Sequence, residues 1–259
     1  MALSLLVTLA ILVSAQTLQR PDSAPRGVIR LRVRMKTGDA ERGLQRKRFF
    51  LLKGSLVENR NLIQTIEQQA VVSRDCYYRG IGASEQLIRW LKENDCESVY
   101  CREVEEKEVD SERAVPEFQR ATTAGEKELG TRELARKWLT VNLSNDIRDG
   151  FYKKRQQQLQ PLVKLAEEAS KSKVQSVMTD RNGSAYFTDL EPGTYVISNI
   201  IPTEFGESME TWNCEVMLKP NELGAEKLYV ISNRKDQKDK LVKCVSTEKP
   251  LPACPAPSK

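Results

Sequence analysis

The stretch TDRNGSAYFTDLEPGTYVI, residues 179–197, decides how the chain reads. It carries two turn signals about ten residues apart, with a short apolar and aromatic run after each. Asn182-Gly183 is a preferred pair for a tight hairpin turn, because both residues tolerate positive φ. Pro192-Gly193 places Pro and Gly where the centre of a type II turn favours them. The runs that follow, SAYFTDL and TYVISNII, read as strands.

Working outward, two further runs, TWNCEVML and EKLYVISN, continue the strand pattern toward the C-terminus, and VQSVMTD precedes it. Far upstream, GVIRLRVRMK alternates Ile29, Leu31, Val33 and Met35 with Arg30, Arg32, Arg34 and Lys36. This is period two, an amphipathic strand with a basic face. The stripe reads either as a site for an anionic partner or, more plainly, as a solvated face that discourages edge-to-edge pairing. QRKRFFLLKGS follows, and its continuous Phe49-Phe50-Leu51-Leu52 run needs burial on both faces.

Between these two β-rich blocks the pattern turns helical, from about Glu58 to Lys173. NLIQTIEQQ is one short helix. Ser84 is placed to cap a helix bearing Leu87, Ile88 and Leu91. Leu134, Trp138 and Leu139 mark a further packing stripe. Ser144 is placed to cap the next helix, which Pro161 is expected to end or restart. Leu159, Leu162, Val163, Ala166 and Ala169 make the last stripe. TTAGEKELG reads as a polar loop.

The pattern Thr179-Asp180, Asn182-Gly183, Tyr186-Phe187, Leu190, Pro192-Gly193, Tyr195 resembles the carboxypeptidase regulatory-like domain, a transthyretin-like, carbohydrate-binding-like β-sandwich. Members typically read T-D-x-x-G-x-F-x-F-x-x-L-x-P-G-x-Y. Tyr186 and Thr188 depart mildly from that pattern. The family's preceding strands match GVIRLRVRMKTGDAERGLQRKRFFLL, so the resemblance covers about 90 residues in two blocks. It implies an α+β chain: a seven-stranded transthyretin-like (Ig-like) β-sandwich interrupted by an α-helical insertion. The expected strands are 28–36, 46–54, 174–179, 184–189, 194–200, 211–218 and 227–232. The expected organisation is a signal peptide (1–15), a flexible leader (16–26), the first sandwich part (27–57), the helical insertion (58–173), the second sandwich part (174–233) and a C-terminal tail (234–259).

The 259 residues include no histidine, which excludes a Ser-His-Asp triad, a Cys-His pair and His-ligated zinc. No catalytic residue, cofactor or metal ligand is assigned. Net charge is +5, too little to argue for nucleic acid, although basic residues outnumber acidic ones about three to one from Arg20 to Arg60. The N-terminal apolar run Leu3–Val13, ending Val13-Ser14-Ala15, fits a signal peptide and is short for a membrane span. Export gives meaning to six cysteines: Cys76, Cys96, Cys101, Cys214, Cys244 and Cys254. Three lie in the helical middle and three near the C-terminus. If all pair, parity requires at least one bridge between the groups.

These readings converge on a secreted, periplasmic or cell-surface protein, not membrane-spanning, that acts as a non-catalytic binding or assembly module. The resemblance implies that role, with a protein or carbohydrate of the cell envelope as partner. Tyr77, Tyr78, Tyr186 and Trp212 are the candidate ligand contacts. Tyr77 and Tyr78 also read as a disulfide-anchored packing corner, and Trp212 as core. The alternative is a hydrolase-type enzyme with a carboxylate or lysine site in the helical insertion, drawing on Glu103, Glu105, Glu106 and Asp110. Peptide mapping under non-reducing conditions is expected to find all six cysteines bridged. Six free thiols would overturn the compartment.

Overall fold

A computed structural model describes residues 25–37, 40–232 and 242–254. The expected signal peptide and nearly all of the leader lie outside the described residues, as do residues 255–259. The fold is mixed α and β. Among the described residues it has ten strands in two sheets and six α-helices.

The first sheet is built on β1 (Gly27–Thr37). β1 pairs antiparallel with β5 (Ser184–Leu190) over its first half and with β2 (Ala40–Gly43) over its second. On its other side it pairs in parallel with β9 (Glu226–Ser232). The second sheet has the order β10 (Lys243–Pro250), β8 (Ser208–Leu218), β6 (Gly193–Ser198), β3 (Arg48–Lys53), β4 (Gln175–Met178). Short β7 (Thr203–Phe205) is a hairpin partner of β8. The seven expected strands are all present. β2, β7 and β10 are additional, and their sequences AERG, TEF and KCVSTEKP show no apolar alternation. Backbone pairing, not apolar alternation, makes them strands. β10 therefore corrects the reading of residues 243–250 as part of a tail.

The two sheets share one core. Ile29, Leu31, Val33 and Met35 of β1 meet Phe49, Leu51, Ile197, Trp212 and Val216 of the opposite sheet. The alternation in β1 is thus realised, but β1 is not an edge strand. Its outer-facing Arg30 pairs with Glu226 at 3.2 Å and lies 5.7 Å from the Tyr186 ring centroid.

Both turns of the diagnostic stretch do something other than close hairpins. β4 belongs to one sheet and β5 to the other, so the Asn182-Gly183 turn carries the chain across the core. The Gly183 amide donates to the Asp180 carbonyl at 3.1 Å, and Asp180 Oδ1 accepts from the Asn182 and Ser184 amides at 2.8 Å. The central residues are therefore Arg181 and Asn182, and only Gly183, at φ +76°, is left-handed. This is a type I turn followed by a glycine in the αL region. The Pro192-Gly193 corner likewise joins β5 to β6 in different sheets. Gly193 is not left-handed there, and the positive φ nearby, +60°, belongs to Asp189 near the end of β5. Tyr195 Oη donates back to the Glu191 carbonyl at 2.7 Å and braces this corner.

The turn also locks the two β-rich blocks together. Thr179 is buried; its Oγ1 donates to the Leu44 carbonyl at 2.6 Å and accepts from the Lys47 amide at 3.0 Å. The Val33 amide donates to the Gly183 carbonyl at 2.8 Å. A Cβ on Gly183 would overlap the Val33 carbonyl, and one on Gly43 would overlap the Asn182 carbonyl.

The connection from β3 to β4 carries the helices. These are α1 (Arg60–Gln68), α2 (Arg74–Gly80), α3 (Glu85–Glu93), α4 (Pro116–Leu129), α5 (Arg132–Lys137) and α6 (Phe151–Ser170). The Phe49–Leu52 run splits by face. Phe49 and Leu51 enter the inter-sheet core. Phe50 and Leu52 pack on Leu62 and Ile66 of α1 and on Leu159, Leu162 and Ala166 of α6. A third core, around Tyr78, Leu91, Phe118 and Phe151, lies within the helical region.

Three helical expectations need correction. The TTAGEKEL segment is the body of α4, not a loop, and Thr122 and Gly125 are buried there. Pro161 lies inside α6 without ending it. Packing of Leu159, Leu162 and Ala166 outweighs the single hydrogen bond forfeited at that exposed position. The expected stripe of Leu134, Trp138 and Leu139 buries only Leu139, while Ala135 supplies the packing of α5.

All six cysteines are bridged: Cys76–Cys254, Cys96–Cys101 and Cys214–Cys244. The first links the helical region to the C-terminal segment, as parity requires. The third joins directly opposed residues of β8 and β10. Gly183→Ala is expected to destabilise the fold by about 2–5 kcal/mol, combining a left-handed penalty with a backbone overlap. Urea unfolding measures it. A cost under about 0.5 kcal/mol would show that the turn relaxes freely.

Candidate functional site

The sequence-derived contact residues are dispersed. Tyr78 is fully buried, edge-on to Tyr77 at 5.3 Å, and its hydroxyl donates to the carbonyls of Glu97 and Ile147 at 3.3 Å. Tyr77 donates to the Asp146 carbonyl at 3.2 Å. Burial pushes both phenols above their ordinary range. This pair is a packing corner beside the Cys76–Cys254 bridge. Trp212 is also fully buried, 6.0 Å from the Phe49 ring, and shows no face to solvent. Only Tyr186 of the four is substantially exposed, at 46%, on the outer face of the first sheet.

Three of the four candidate carboxylates are paired with neighbouring cations, and the fourth, Glu106, is exposed at the start of a short 3-10 turn. Glu105 pairs with Lys107 at 2.7 Å and with Arg102 at 3.2 Å, Glu103 lies 3.6 Å from Arg136, and Asp110 pairs with Arg132. Hydrogen bonding from Lys107 and Arg132 holds the Glu105 and Asp110 carboxyls below the usual carboxylate range. Carboxylates so held are poor proton donors near neutral pH. Among the described residues, no group of His, Cys, Asp and Glu side chains is arranged to hold a metal ion.

Sequence reasoning missed a groove of about 470 Å³ in the helical region. Tyr100 and Trp138, each 59% exposed, stand on its walls. The Cys96–Cys101 bridge encloses Tyr100 in a short closed loop. Trp138 ends α5, whose start is fixed by Thr131 Oγ1 accepting from the Leu134 amide and by left-handed Gly130. Arg136 donates to the Val104 carbonyl at 2.6 Å. Arg102 lies over the Trp90 ring at 5.1 Å and donates to Asn94 Oδ1 at 2.8 Å. Leu134 and Val141 extend the exposed apolar stripe at helical spacing. The signal available in the sequence was that stripe itself, which reads as an ordinary packing face.

A second feature lies where β3 meets the helical region. Lys47, only 5% exposed, pairs with Asp95 at 3.2 Å and Glu97 at 3.7 Å; Arg155 of α6 approaches Glu97 at 3.8 Å. Burial raises the Glu97 carboxyl, but Arg155, Lys47 and Arg74 outweigh it and hold it below the ordinary range. Behind it, Glu204 accepts from the Arg74 amide at 2.6 Å, and burial keeps its carboxyl above the ordinary range.

Glu210 titrates apart from all of these. It is buried opposite Glu248 in the β8–β10 pairing, and burial, with the Glu248 charge, pushes it up to about 7. A carboxyl with a raised folded-state pKa binds its proton more tightly when folded, so stability falls as pH rises from about 4.5 through 7. Glu210→Gln is therefore expected to gain about 1–3 kcal/mol at pH 8 and little at pH 4.5, read by urea unfolding at both. An equal effect at the two pH values would overturn the assignment.

No family model matches the chain, and no curated protein or solved structure was found to match it.

Proposed function

We propose that this chain is a secreted, non-catalytic binding module for a protein or glycan of the cell envelope. In this reading the two sheets are a transthyretin-like scaffold, and the helical region between β3 and β4 carries the recognition surface. The observation that carries it is the pair of exposed aromatic side chains, Tyr100 and Trp138, on a braced groove. Exposed rings on rigid supports offer large apolar contact at little entropic cost, and aromatic residues are enriched at the energetic centres of binding surfaces. Three disulfides, and the lack among the described residues of a helix long and apolar enough to cross a membrane, are compatible with an extracellular setting.

The test is direct binding of the folded chain to glycan arrays and to fractionated envelope proteins. Trp138→Ala and Tyr100→Ala are each expected to weaken the ligand found by about tenfold or more, with Tm essentially unchanged. Tyr186→Ala serves as the control on the opposite sheet. Retained affinity in the Trp138 and Tyr100 variants would exclude the groove, and loss on Tyr186→Ala alone would move recognition to the first sheet.

A further inference from the structure

The basic run Arg46-Lys47-Arg48 takes no part in the aromatic groove. With Arg155 it lines a recess between β3 and α6, and the geometry points to this recess as a binding site for a tetrahedral oxyanion, a phosphate or sulfate group. Four cations meet there, three from one consecutive run and Arg155 from α6, and Glu97 is the carboxylate on the lining. Even with Asp95 and Glu204 counted, three carboxylates face four cations.

Asp95 and Glu97 are committed to Lys47 and Arg155. Among the described residues, Arg46 and Arg48 have only neutral partners. Arg46 donates to the Cys101 carbonyl, and Arg48 donates to Ser176 Oγ at 3.4 Å. Their positive charge therefore stays uncompensated at the mouth, and guanidinium forks match oxyanion geometry in pairs. Neutral donors complete the wall. Thr203 Oγ1 accepts from Asn199 at 3.2 Å, which leaves its O–H to donate inward, and Tyr152 adds a second hydroxyl.

Size selects the ligand class. The recess holds about 60 Å³. At roughly 10–15 Å³ per water-sized group, that accommodates about four to six such groups, enough for the oxygens of one oxyanion and too few for a whole sugar ring. A phosphate or sulfate ester would seat its charged end here and leave the rest outside, across exposed Tyr152 and Met178.

The experiment is thermal unfolding of the full chain in phosphate, in sulfate and in glucose 6-phosphate, against chloride at matched ionic strength. Phosphate at about ten times its Kd is expected to raise Tm by roughly 3–6 °C over chloride. Arg46→Gln/Arg48→Gln is expected to abolish the rise while keeping its Tm in chloride, and Arg34→Gln, on β1, to keep the rise. A tighter response to the ester identifies a ligand-borne group, and equal responses identify the free ion, both within the proposal. No rise over chloride, or the same rise in the double variant, overturns it. Should that variant fail to fold, backbone NMR of the unaltered chain decides. Phosphate must move the Thr203 and Arg155 amides, and shifts confined to Arg30 and Arg32 would overturn the site. Trp138→Ala leaves this response intact, so the recess and the groove stand or fall separately.

Discussion

The two-sheet core depends on one close backbone contact, that between Gly43 and Gly183. Neither position has room for a Cβ, because each faces a main-chain carbonyl of the other block. Buried Thr179 adjoins this contact and serves the Leu44 carbonyl and the Lys47 amide with one hydroxyl. Residues 27–53 and 175–232 are thereby held in register, although the whole helical region separates them in the chain. The pairings of β1 with β5 and β9, and of β3 with β4 and β6, follow from that register.

The helical region is tied to this frame at chemically different places. Apolar packing covers the second face of β3, where Phe50 and Leu52 meet α1 and α6. Buried ion pairs join Lys47 to Asp95 and Glu97, and such pairs specify geometry more than they add stability. The Cys76–Cys254 bridge closes the far end. The region has its own buried core, and Tyr100 and Trp138 stay outside it.

Much of the architecture was legible in the residues. The alternation from Ile29 to Met35, the two-faced Phe49–Leu52 run and the strands around Tyr186 and Tyr195 all form where their periodicity places them. Local preference was enough there because burial and propensity agree. The candidate groove was not legible. Leu134 and Trp138 carry the spacing of a packing face, and periodicity cannot report whether a neighbouring element arrives to cover it. The basic recess was hidden for a related reason, since Lys47, Glu97 and Arg155 converge only through the fold.

The sequence by itself determined the two-block β pattern, the helical region between the blocks and the even cysteine count. These follow from side-chain period, glycine and proline chemistry and parity, all of which are local or countable. Tertiary structure alone decided that the Asn-Gly and Pro-Gly turns cross between sheets instead of closing hairpins, and that β10 exists at all. It also decided which cysteines meet and which aromatic rings stay outside. Those outcomes are set by contacts between residues far apart in the chain, where strand pairing and close packing, not local propensity, carry the free energy.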